Sequence, residues 1–183
     1  MILASKSPRR QFLLKELGLD FEVRTKEVDE SFPETLKAQE IPLYLCQKKA
    51  DAFDEELNDN TIVITADTIV WVEGQVLNKP ENYEDAVRML QLLSGKMHEV
   101  YTGVCLKSKH KSKSFYALTK VYFKELSRQE IDYYINNYHP YDKAGSYGAQ
   151  EWIGYIAVEK IEGSYFNVMG LPVRELYEEL LKF

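Results

Sequence analysis

The segment Thr61–Leu77, TIVITADTIVWVEGQVL, constrains the fold more than any other stretch of the chain. Val, Ile and Thr dominate it, and such side chains fit a pleated, half-buried surface better than a helix. Within it, Glu73-Gly74-Gln75 reads as a hairpin turn. Before it, from Pro42 to about Leu57, the pattern is helical, with apolar Leu45, Ala52 and Phe53 and polar Lys48 and Lys49. After it, Asn82–Leu93 reads as a long helix closed by Gly95. A strand with a hairpin, set between two helices, requires a sheet that mixes parallel and antiparallel pairing.

The remaining elements fit that frame. Met1–Ala4 and Phe21–Arg24 read as short strands around a helix at Pro8–Leu17, whose apolar residues are Phe12, Leu13, Leu14 and Leu17. Two long strands, about Val100–Leu106 and Phe115–Phe123, flank the basic run KSKHKSK at Lys107–Lys113, which reads as a solvated hairpin loop. Ser127-Arg128-Gln129-Glu130 fits a capping box and starts a helix to about Asn136. Tyr138–Gln150 is loop-like, Ile153–Val158 reads as a strand and Pro172–Leu181 as the last helix. The expected class is α/β, with a mixed, twisted sheet and flanking helices. With 183 residues, the chain suits one compact domain over 1–183, of one or two lobes.

Charge and cysteine usage narrow the function classes. A net charge of −6 argues against a broad nucleic-acid or anionic-membrane surface. A small polyanion in a local basic pocket remains compatible with it. Cys46 and Cys105 stand far apart with no CxxC pair, so neither a disulfide framework nor a zinc site is expected. No apolar run reaches the ~20 residues of a membrane span, and the cytoplasm is the expected compartment.

The first strand runs into Ala4-Ser5-Lys6-Ser7-Pro8-Arg9-Arg10. Ser7 suits an N-cap and Pro8 the first helical position. Two arginines in the first helical turn, however, face the positive end of the macrodipole. Either they are surface residues of an ordinary cap, or an anion sits at that helix end, where free N–H groups and guanidinium groups converge. Ser5 and Ser7 lack an evident His or acid partner, which argues against a serine nucleophile.

Further stretches carry candidate chemistry. Asp67 lies between two β-rich runs and reads as a strand-end acid, either accepting backbone N–H bonds or holding a metal or activating water. Asp29-Glu30 is a solvated pair or one side of a metal site, because Mg²⁺ takes a few carboxylates plus substrate phosphates. Lys79-Pro80 reads more readily as an ordinary helix entry than as functional, and Lys48-Lys49 on the preceding helix more readily as solvated than as functional. YDKAGSYGAQEWIG combines Gly145 and Gly148, which permit close approach, with Gln150, whose amide offers both a donor and an acceptor. GSYFNVMGLPV fits a simple loop leading into the last helix. His98, His110 and His139 show no ligand spacing.

In order, the blocks LASKSPRRQFLLKELG, VDES, KKA, ITADTIV, NKP, LSGKMHEVYTGV, DKAGSYGAQ and GSYFNVMGLPV resemble the Maf family over essentially the whole chain. The resemblance implies hydrolysis of nucleoside triphosphates to the monophosphate and pyrophosphate. It also implies a fold of two lobes around a cleft, related to the inosine-triphosphate pyrophosphatase group. Carried over residue by residue, it implies Asp67 as general base, with Lys49 and Lys79 as catalytic cations. Ser5, Arg9, Arg10, Thr68 and Gln150 would bind substrate, and Glu30 with Asp67 would hold a divalent cation, Mg²⁺ or Mn²⁺. Arg9, Thr68 and Gln150 together resemble the branch that prefers dTTP and UTP. A homodimer is expected from the resemblance alone. Family members usually have Gly after the glutamine, where this chain has Glu151-Trp152. The competing reading is a nucleotide-binding regulator of cell division without significant turnover.

Overall fold

A computed structural model describes residues 1–183. In chain order its elements are β1 (Ile2–Leu3), α1 (Pro8–Glu16), β2 (Glu22–Val23), α2 (Glu40–Asp51), β3 (Val63–Val72), β4 (Gln75–Leu77) and α3 (Tyr83–Leu93). There follow β5 (Met97–Lys107), β6 (Ser112–Phe123), α4 (Arg128–Tyr138), α5 (Trp152–Ala157), β7 (Val158–Glu162), α6 (Tyr165–Met169) and α7 (Val173–Lys182). The seven strands form one mixed sheet in the order β2-β1-β3-β5-β6-β7, with β4 paired to β3. β1 pairs in parallel with both β2 and β3, whereas β4 and β7 pair antiparallel with β3 and β6. The class is therefore the mixed α/β expected.

The chain divides into two compact units, and β3, β5 and β6 contribute residues to both. The first comprises residues 1–68, 102–117 and 170–183. Its interior includes Ile2, Phe53 and Val63 in one cluster, and Cys46, Ala50 and Cys105 in another. Both cysteines are buried free thiols, and burial pushes each thiol pKa up. The second unit comprises residues 69–101 and 118–169. Its core gathers Val70, Leu90, Phe123, Tyr134, Tyr147 and Ile153. No helix is long and apolar enough to cross a membrane.

Local chemistry accounts for most boundaries. Ser7 caps α1, its hydroxyl accepting the Arg10 N–H at 3.5 Å, and Asn82 caps α3 in the same way. Ser127 and Glu130 form the capping box of α4. Glu73 and Gly74, both at positive φ, make the turn between β3 and β4.

Three expectations are corrected. Asp67 is not at a strand end, because β3 runs unbroken from Val63 to Val72. Ile153–Val158 is mostly helix: in α5 the buried positions Ile153 and Ala157 are four apart, a helical spacing that a short apolar run conceals. The loop expected before the last helix contains α6, five residues long.

Candidate active site

The register of α2 against β3 creates the central feature of the first unit. Thr65 is fully buried and its hydroxyl donates to the Cys46 carbonyl at 2.6 Å. Two residues further along β3, on the same face, stands Asp67; three residues further along α2, on the same face, stands Lys49. The two side chains meet, Lys49 Nζ lying 2.5 Å from Asp67 Oδ1. The same ammonium lies 2.8 Å from Glu30 Oε1. One lysine thus bridges two carboxylates from separate segments. Lys49 and Asp67 are largely buried, at 16% and 13% side-chain exposure, so the pair offsets the cost of an acid within a strand. Beside it, Lys48 pairs with Asp29 at 3.3 Å. The Asp29 carboxyl is held at about 2, chiefly by the Ser31 hydroxyl and backbone N–H.

The loop after β1 reaches the other side of Asp67. Ala4 N–H donates to Ile64 O at 2.9 Å, which carries Ser5–Ser7 alongside β3. Ser5 is buried, its hydroxyl accepting the Ser7 N–H at 3.2 Å. Arg9 and Arg10 then project from the first turn of α1. Each nitrogen of the Arg10 guanidinium donates to the protein: Nε to Gly170 O at 2.8 Å, Nη1 to Ala66 O at 2.8 Å and Nη2 to Thr68 Oγ1 at 3.0 Å. Ala66 and Thr68 are the immediate neighbours of Asp67. Burial lowers the Arg10 pKa, and the Asp67 charge opposes that shift. The Thr68 hydroxyl also lies 2.9 Å from that of Thr102 on β5. Gly170 closes the arrangement at φ 113°, where a side chain would be strained, and its Cα faces the Arg10 guanidinium.

A basic first turn on α1 therefore has a partner set within the protein. Arg10 braces the strand that carries Asp67, in a fork geometry that lysine lacks. Nothing in the sequence pattern marked Thr102 or the Gly170 carbonyl as members of this arrangement. Their role depends on strand pairing and on a chain reversal 160 residues from Arg10.

The two remaining residues expected at the site, Lys79 and Gln150, belong to the second unit. Lys79 is exposed and follows Asn78, whose carbonyl accepts the Gly145 N–H at 3.1 Å. This bond docks the Asp142–Glu151 loop beside Lys79. Gly145 and Ser146 both have positive φ, and the Ser146 hydroxyl is buried without a partner. Gln150 is half-buried at the far end of the same loop. Glu151 beside it accepts from the Tyr134 hydroxyl through Oε2 and pairs with Lys143 at 3.0 Å through Oε1. Lys143 and Tyr134 are buried partners that sequence reasoning did not single out.

No group of three or more His, Cys, Asp or Glu is arranged as a self-sufficient metal site. Glu30 and Asp67 offer two carboxylates to one place, which the Lys49 ammonium occupies in this structure, so a cation held there replaces Lys49 as their partner. That donor set fits Mg²⁺, which is commonly held by one or two carboxylates and completed by substrate phosphates and water.

The sequence matches the Maf-like protein family over residues 1–183. A dTTP/UTP pyrophosphatase of Phocaeicola vulgatus is 57% identical over 183 residues, spanning 100% of this chain and 95% of that protein. A dTTP/UTP pyrophosphatase of Flavobacterium johnsoniae is 54% identical over 180 residues, spanning 98% of this chain and 93% of its own length. Among solved structures, the Staphylococcus aureus Ham1 protein aligns with a TM-score of 0.49 at 15% identity over 67% of this chain and 70% of that one. So partial a likeness decides nothing about function.

Proposed function

This chain belongs to the Maf-like protein family, and from that premise we propose that it is a nucleoside triphosphate pyrophosphatase that converts dTTP and UTP to the monophosphate and pyrophosphate. The names of its relatives support the reading. The observation that carries it on this chain is the bridge from Glu30 through Lys49 to Asp67, braced by Arg10. Such a site combines acceptor oxygens for a proton or a cation with positive charge for a polyanion.

In the proposed reaction, Asp67 accepts a proton from a water molecule as the water oxygen bonds to the α-phosphorus. The bond from that phosphorus to the bridging α–β oxygen breaks, and pyrophosphate departs with the electron pair. Arg9, Lys49 and Lys79 neutralise the polyphosphate charge, a role that preorganised cations perform without a covalent nucleophile. Ser5, just ahead of the N-terminal end of α1, is assigned to the phosphates, which the helix end favours. A divalent cation, held by Glu30 and Asp67 when bound, would supply further neutralisation of phosphate charge.

Gln150 is the proposed base reader. Its amide can donate to a carbonyl of uracil or thymine and accept from N3–H. Cytosine has no hydrogen on N3 and an amino group at position 4, so it mismatches the same amide. A site that matches its substrate by hydrogen bonds discriminates strongly, because a wrong partner leaves buried polar groups unpaired.

The test is product analysis. Purified protein with Mg²⁺ is given dTTP, UTP, CTP, GTP and ATP separately at equal concentration. The expected result is dTMP or UMP with one equivalent of pyrophosphate, and poorer turnover of the other nucleotides. Orthophosphate with a nucleoside diphosphate would contradict the reaction assigned, and preference for GTP would contradict the pyrimidine assignment alone.

A further inference from the structure

Glu151 directly follows Gln150, and an acid beside a base reader could be expected to repel or reshape. Its geometry says otherwise. Both carboxylate oxygens are engaged, Oε2 by the Tyr134 hydroxyl and Oε1 by the Lys143 ammonium at 3.0 Å. Lys143 and Tyr134 are themselves buried, at 7% and 0% exposure. The Lys143 ammonium is shared with Asp142 at 2.7 Å, and the Tyr134 hydroxyl draws the Glu151 carboxylate toward α4, which carries Tyr134.

The same network holds the turn that leads to Gln150. The Tyr134 hydroxyl accepts the Gly148 N–H at 3.0 Å while donating to Glu151. The Glu151 N–H returns to Gly148 O at 3.0 Å, closing a short turn around Ala149 and Gln150. Gly148 is where these groups crowd. A Cβ there would lie 2.9 Å from Gln150 Nε2 and 3.0 Å from Glu151 Oε2. The Gln150 amide and the Glu151 carboxylate therefore pack against one point of the backbone. On the C-terminal side, the Glu151 carbonyl accepts the Gly154 N–H at 2.9 Å and starts α5. Trp152 packs on Tyr133 of α4, with ring centroids 4.6 Å apart. Gln150 thus sits on a turn fixed at both ends, with Glu151 bonded to each fixture.

We propose that Glu151, held by Tyr134 and Lys143, is a positioning residue that sets the Gln150 amide and thereby the discrimination among nucleobases. This rests on the base-reading role proposed for Gln150. Glu151 acts through Gln150 and through the Gly148 turn, and it leaves the phosphate chemistry to other residues.

Three variants test it: Glu151→Gln, which keeps the size and an acceptor but loses the charge; Tyr134→Phe, which removes the hydroxyl joining Glu151 to Gly148; and Gln150→Ala. For each, kcat and KM are measured with dTTP and with CTP, and the Gln150 side-chain amide is followed by ¹⁵N NMR in the proteins that retain it. The expected result is a loss of about tenfold in the dTTP:CTP ratio of kcat/KM for both Glu151→Gln and Tyr134→Phe, with the loss in KM, and displaced Gln150 amide signals. An unchanged ratio in Glu151→Gln, while Gln150→Ala lowers it, overturns the proposal. If Gln150→Ala leaves the ratio unchanged, the base-reading role fails instead. The positioning by Glu151 is then upheld by displaced Gln150 signals in Glu151→Gln and overturned by unmoved ones.

Discussion

Arg10 Nη2 donates to Thr68 Oγ1 at 3.0 Å, and Arg10 Nη1 takes the Ala66 carbonyl at 2.8 Å, so one guanidinium grips the residues on both sides of Asp67. The third nitrogen ties the same group to Gly170. For Asp67 to act as the proposed base its backbone must be fixed, and a planar fork with three committed nitrogens fixes it better than a point charge does.

Arg10→Ala is therefore expected to lower kcat with dTTP by roughly 10–100-fold, the rate equivalent of one charge-assisted contact of about 1.5–3 kcal/mol. Arg10→Lys is expected to restore little, because one ammonium does not reach three acceptors in a plane. Steady-state kinetics decide the matter. A rise in KM with kcat intact would make Arg10 a polyphosphate ligand and not a brace.

Glu30 pairs with Lys49 at 2.8 Å, and half of its side chain is exposed. Removal of divalent cations with EDTA is expected to abolish turnover, and added Mg²⁺ to restore it. Glu30→Gln is expected to raise the Mg²⁺ concentration at half-maximal rate by at least the ~10-fold that loss of a supporting partner costs other metal sites. A titration curve superimposed on that of the wild type would exclude Glu30 from the cation site.

Much of this arrangement was legible in the sequence because it rests on local chemistry. The β-rich run with its Glu73-Gly74 turn, the cap at Ser7 and the Ser127–Glu130 box are each decided within a few residues. The Lys49–Asp67 pair was approachable through motif order but not through spacing, since it depends on how α2 lies on β3. The acceptors of Arg10 were hidden altogether: two are backbone carbonyls, which carry no residue signature, and one lies beyond most of the chain. α5 was misread as a strand because six residues of Trp, Ile, Gly, Tyr and Ala have neither a clear period of two nor a full helical repeat. Lys143 and Tyr134 look like ordinary loop and helix residues until Glu151 is seen between them.

His98 supplies a pH dependence of stability. It is 1% exposed, its Nε2 lies 2.7 Å from the Tyr147 hydroxyl, and its Nδ1 has no partner. Burial lowers its pKa from 6.5 to about 3. Between those values the unfolded chain binds a proton that the folded chain does not, so stability rises with pH through this window and is fully present above it. The contribution falls by about 1.4 kcal/mol per pH unit below 6.5. Denaturant unfolding of the wild type and of His98→Gln at pH 7 and pH 5 is the measurement. The wild type is expected to lose roughly 2 kcal/mol more than the variant. Equal losses would show that His98 protonates as readily folded as unfolded.

The central claim is that water, deprotonated by Asp67, attacks the α-phosphorus. Turnover of dTTP in ¹⁸O-labelled water, with both products analysed by mass spectrometry, tests it most directly. The wild type is expected to place the label in dTMP and none in pyrophosphate. Asp67→Asn is expected to retain that pattern at a rate lower by roughly 10²–10⁴-fold, the range for loss of a general base. Label in pyrophosphate, or an Asp67→Asn rate within a few-fold of the wild type, would contradict the account.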